Sequence, residues 1–92
     1  MQLLPIEAYA ALDAAQEIAS AAAKALNAAD AAWRKSKSKV RAQAFQEAHD
    51  AFQAAMAECD ACHRQVEEAE RAARLGARAK QKELQQQLDL FA

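Results

Sequence analysis

The sequence predicts an all-α fold: an antiparallel, alanine-rich helical hairpin, coiled-coil-like, expected to dimerise into a four-helix bundle. Three observations carry this prediction. Strong helix formers (Ala, Gln, Glu, Lys, Arg, Leu) dominate a chain that has one glycine and one proline. Two long stretches place apolar residues at alternating steps of three and four. A single short break, basic and serine-containing, separates them.

The first element begins near Pro5, which suits a first helical turn, with Glu7 on the favourable side of the helix dipole. It is expected over about 5–33. Its seam reads Ala8, Leu12, Ala15, Ala19, Ala22, Leu26, Ala29, Trp33, a heptad a/d pattern. The basic turn follows at 34–39, where clustered lysines do not belong in a core. The second helix is expected over about 39–75, with the seam Phe45, Ala48, Phe52, Ala55, Cys59, Cys62, Val66, Ala69, Ala73. With the turn centred on Lys37, paired positions are equidistant from it. Ala29 then faces Phe45, Leu26 faces Ala48, Ala22 faces Phe52 and Leu12 faces Cys62, so large meets small in most layers. Gly76 is a candidate helix end, with Arg71 and Arg74 in the last turn. Residues 1–76 thus form the hairpin, and 77–92 a helical or flexible tail.

Composition sets the depth of the core. Hydrophobic residues make up 53% of the 92, but alanine supplies most of them; aromatics are 5% and mean hydropathy is −0.35. The core is therefore long and thin. An isolated pair of such helices buries little surface. Tyr9, Ile18, Met56 and Leu3/Leu4 lie beside the seams and offer a second contact face, which is why a homodimer is expected.

Net charge is −1, which gives no global pull towards nucleic acid or membrane. No uncharged apolar run approaches the ~18 residues of a membrane span. Glu7 and Asp13 interrupt any leader-like apolar region, and the first basic residue is Lys24. The chain is expected to be cytoplasmic, with both cysteines reduced.

Three stretches could carry function. In "CDACH", Cys59 and Cys62 fall on the seam, in phase with Ala55 and Val66, and His63 follows them. Free cysteine packs as a small hydrophobe, so seam packing is the expected role and no metal or cofactor is expected. The stretch resembles the attachment motif of c-type cytochromes, and that resemblance implies haem bonded to both thiols, His63 on the iron, and export. A metal version would use Cys59, Cys62 and His63; His49 lies ~15 Å away along the same helix and could join only from a second chain. The turn from Arg34 to Arg41 holds Arg34, Lys35, Lys37, Lys39 and Arg41, candidates for phosphate contact, although a solvated hairpin tip is the plainer reading. Glu67, Glu68 and Glu70 are expected to pair with Arg71 and Arg74 along the helix surface. No catalytic carboxylate pair, nucleophile set or phosphate-cradling glycine loop stands out, so no enzyme is expected.

The third stretch is Gln87-Leu88-Asp89-Leu90-Phe91. It resembles the pentapeptide Gln-Leu-Ser/Asp-Leu-Phe by which bacterial polymerases, repair factors and replication initiators dock on the β sliding clamp, and all five positions match. The resemblance implies that Gln87 fills a small polar subsite and that Leu88 packs at the channel edge. Asp89 would bridge, while Leu90 and Phe91 bury in the clamp's apolar pocket. The expected function is a small adaptor or competitor for clamp access, serving replication or repair. The alternatives are a self-associating helical bundle with another protein partner, or a metal- or haem-binding bundle built on Cys59, Cys62 and His63.

Overall fold

The computed structural model describes residues 3–91, without the side chain of Phe91. It contains two helices, α1 (Pro5–Lys35) and α2 (Lys39–Phe91), joined by a three-residue turn. They lie side by side as a hairpin. The 53 residues of α2, at 1.5 Å each, come to about 80 Å. That equals the longest extent of the molecule, 81 Å, against 17 and 15 Å across it. A rod results, with one uninterrupted helix as its full length.

Local chemistry sets the start of α1. Pro5 occupies the first turn, and Leu4 before it is extended, as a residue preceding proline should be. The Glu7 carboxylate reaches back to accept the Leu4 N–H at 3.3 Å. At the other end the helix takes two residues more than expected, Arg34 and Lys35. Ser36 then turns extended, and its N–H donates to the Ala32 carbonyl. Ser38 opens α2 as an N-cap, its hydroxyl accepting the Arg41 N–H at 3.2 Å. Arg41 in turn donates across the turn to the Ala32 carbonyl at 2.9 Å. Ala32 thus ties both sides of the turn together.

The core is one cluster: Ala8, Leu12, Ala15, Ala19, Ala55, Cys59, Cys62, Val66 and Ala69. Its two halves mirror each other about Lys37. Ala8 and Val66 are equally far from it, as are Leu12 and Cys62, Ala15 and Cys59, and Ala19 and Ala55. This is the register that a turn centred on Lys37 dictates. Every buried residue lies on the heptad seams.

Nearer the turn the same seams carry Leu26, Trp33, Phe45 and Phe52, yet these are only half-buried. The reason is geometric. A single neighbouring helix covers only one side of a large side chain, and Ala22, Ala29 and Ala48 beside them are half-buried as well. Ala8 is wholly sealed from solvent, but among the described residues no large side chain is.

At the other end one expectation fails and one open alternative is decided. Ala73 was to continue the seam, but it is exposed. Pro5 stands level with Ala69, so nothing of α1 lies opposite Ala73. Gly76 was a candidate helix end, but α2 runs straight through it with no left-handed backbone. Helix formers on both sides of Gly76 outweigh the ~1 kcal/mol that a glycine costs mid-helix. Residues 73–91 are consequently a lone helix of about 28 Å that overhangs the hairpin.

Candidate functional site

The pentapeptide lies at the far end of this overhang. Gln87 to Phe91 are helical, continuous with α2. Leu88 is 65% exposed and Leu90 82% exposed, so the hairpin covers neither. The Phe91 side chain falls outside the described residues. Gln85 donates to the Asp89 carboxylate at 3.2 Å, one turn on. At 100° per residue, Leu88 and Leu90 point about 200° apart, to opposite sides of the helix. Leu84 and Leu88 do share a face, but they have no partner on α1 to pack against, and both are exposed.

Most cations of the tip already serve the turn. Arg34 pairs with Asp30 at 3.1 Å. The Lys37 ammonium sits 5.9 Å above the centre of the Trp33 ring. Arg41 holds the Ala32 carbonyl. Lys35 and Lys39 remain exposed, with no partner among the described residues. Phosphate contact by all five side chains would break the interactions that shape the turn.

In "CDACH" the helix divides the three candidate ligands. Cys59 and Cys62 are buried on the seam as free thiols, whereas His63 points to solvent. Cys62 donates its S–H to the Glu58 carboxylate at 3.7 Å. Burial, followed by the charge of Glu58 and this hydrogen bond, pushes the Cys62 thiol above its ordinary pKa. The upward shift works against the thiolate that metal binding, haem attachment and redox exchange all need. Among the described residues, no three His, Cys, Asp or Glu side chains converge as a metal site.

The expected pairing of Glu67, Glu68 and Glu70 with Arg71 and Arg74 is not formed. The Glu70 carboxylate instead accepts a hydrogen bond from the Tyr9 hydroxyl of α1. Sequence reasoning also passed over a cationic face further along the overhang. Arg71, Arg74, Arg78 and Lys82 recur at steps of three and four, within an arc of about 80°. The signal was legible: no carboxylate occurs between Arg71 and Lys82.

Together these features define a class, a two-helix hairpin with one helix extended into an exposed arm. Compared with known proteins, the chain matches no family model, and neither curated proteins nor solved structures show a similar chain. No described helix is long and apolar enough to cross a membrane.

Proposed function

We propose that this chain is a non-enzymatic adaptor that docks on the bacterial replicative sliding clamp through Gln87, Leu88, Asp89, Leu90 and Phe91, and so competes for clamp access. One observation carries the reading: a complete match to the clamp-docking pentapeptide sits on an arm that the hairpin leaves uncovered. Large apolar side chains left in water gain ~1.5–3 kcal/mol each when a partner buries them.

The helical form of the motif is not the form that docks. Leu90 cannot enter a channel beside Leu88 while the two point to opposite sides, so the last turn must unwind. That step is inexpensive. The last four carbonyls of any helix lack intrahelical partners. Asp89 lies in the last turn, where a carboxylate opposes the helix dipole by roughly 0.3–1 kcal/mol, and no basic residue offsets it. Ordering the released segment on the clamp makes a single motif a weak binder.

The same reading includes a second copy of the chain. The hairpin core holds little beyond alanine and cysteine. Leu4, Ala11, Ile18, Ala25 and Ala32 recur every seven residues beside the seam of α1, and Leu4 and Ile18 are largely exposed. A stripe of that period suits another helix. Two arms on one symmetric ring would then gain avidity.

A clamp pull-down tests the proposal. The intact chain should recover clamp, and a Leu90→Ala/Phe91→Ala variant should not. Equal recovery by both, or by neither, would sink it. Light scattering at working concentration tests the dimer, and a monomer mass rejects it.

A further inference from the structure

The net charge of −1 conceals a strong segregation. Residues 42–70 carry seven carboxylates against Arg64 alone, and α1 up to Trp33 carries four against Lys24 alone. Residues 71–82 carry Arg71, Arg74, Arg78, Lys80 and Lys82 with no carboxylate. The rod therefore has an acidic body, and the lone helix beyond it is cationic.

Four of those five cations form a single face. Arg71, Arg74, Arg78 and Lys82 lie along about 16 Å of helix. Glu67 precedes the stripe and Asp89 follows it, but neither forms a salt bridge with its cations. A shallow open groove on the same face is lined by Arg78, Gln81, Lys82 and Gln85, so amide groups sit between the charges. The arrangement works against the helix. Arg74 with Arg78, and Arg78 with Lys82, are like charges one turn apart, and such pairs destabilise. The helix dipole does not compensate, since its effect falls off within the last turn and these residues lie before it.

We infer that the Arg71, Arg74, Arg78 and Lys82 face binds the phosphate backbone of duplex nucleic acid, independently of sequence. The occupant must be anionic and must reach a lone helix. From Ala73 onward the helix has α1 on no side, Arg71 stands at its root, and a helix diameter of 10–12 Å matches a major groove about 12 Å wide. No aromatic lies between Arg71 and Lys82, so stacking on single-stranded bases has no platform. A membrane surface fits less well, because Leu84 and Leu88 share a face but Leu75 and Leu90 point elsewhere, which leaves the apolar stripe too short for an interfacial helix. The acidic body repels phosphate and separates the arm from the basic turn at the other end of the rod.

The inference stands apart from the clamp reading, and one set of proteins separates the two. Fluorescence anisotropy of a mixed-sequence 24-base-pair duplex is followed between 50 and 200 mM NaCl. Four phosphate contacts give a log–log slope of roughly −3 to −4, about a 100-fold loss of affinity over that range. An Arg71→Gln/Arg74→Gln/Arg78→Gln/Lys82→Gln variant, checked for helicity by circular dichroism, should lose most of that slope and bind at least about tenfold more weakly at 50 mM. A Lys35→Gln/Lys37→Gln/Lys39→Gln tip variant should keep both. So should Leu90→Ala/Phe91→Ala, even where it fails in the clamp pull-down. Absence of duplex binding at 50 mM, an unchanged quadruple variant, or a loss confined to the tip variant would overturn the inference. A quadruple variant that dissociates a dimer, or leaves anionic vesicles, while holding duplex as tightly as the parent would overturn it too, in favour of a second copy's acidic body or a lipid surface.

Discussion

Tyr9 of α1 donates its phenolic hydrogen to the Glu70 carboxylate of α2, across the open end of the hairpin. The pair fastens the end farthest from the turn, just where the two-helix contact gives way to the lone arm. Tyr9→Phe keeps the ring and removes the bond. It should destabilise the hairpin by about 0.5–1 kcal/mol, the modest value of a half-exposed hydrogen bond. Glu70→Gln should cost a similar amount, and the double variant little more than either. Urea unfolding of the four proteins measures the coupling, and full additivity would show that the bond carries no energy.

The turn rests on Ser38. Its hydroxyl caps the first turn of α2, so Ser38→Ala should cost about 1 kcal/mol, while Ser38→Gly should cost only a few tenths. A shift in urea midpoint of that order, with an unchanged denaturant slope, is the expected result.

Cys62 should make stability depend on pH in the alkaline range. Its thiol holds its proton more firmly in the folded chain than in the unfolded one, chiefly through burial and next through Glu58. The unfolded chain therefore loses that proton first as pH rises. Stability from this group is complete below the ordinary thiol pKa and declines as pH climbs through it. Cys62→Ala should flatten the decline expected as pH climbs through the ordinary thiol range, and should itself cost less than about 1.5 kcal/mol as a near-isosteric seam change. Glu58→Gln should hasten iodoacetamide labelling of Cys62 in the folded protein.

Gly76 lowers the helix propensity of the arm near its root. A methyl group added there meets nothing within 4 Å, and its backbone is right-handed. Gly76→Ala should stabilise the arm by about 0.5–1 kcal/mol. Amide exchange should slow over residues 73–91 and hardly change in the body, because the gain is local to a helix with no neighbour.

Much of the fold was legible because a two-helix contact is nearly one-dimensional. The alternating steps of three and four identify the buried residues, and a turn centred on Lys37 sets their pairing. What escaped depended on context. Whether Ala73 is buried depends on where α1 begins, not on its own seam position. Gly76 reads equally as a stop or as a passing glycine, and the helix formers on both sides carry the helix past it. The tip reads as five available cations, but Asp30, Trp33 and the Ala32 carbonyl engage Arg34, Lys37 and Arg41. The cationic face of the arm was hidden by arithmetic, since an acidic body cancels it in the net charge.

The continuity of α2 through Gly76 has a mechanical consequence. A helix of 53 residues without a break separates the Ser36–Ser38 turn from the Gln87–Phe91 motif by nearly the whole 81 Å of the molecule. A hinge at Gly76 would let the two ends approach one another; an unbroken helix holds them apart. Up to the last turn, the helix therefore sets a fixed span between the two ends of the rod.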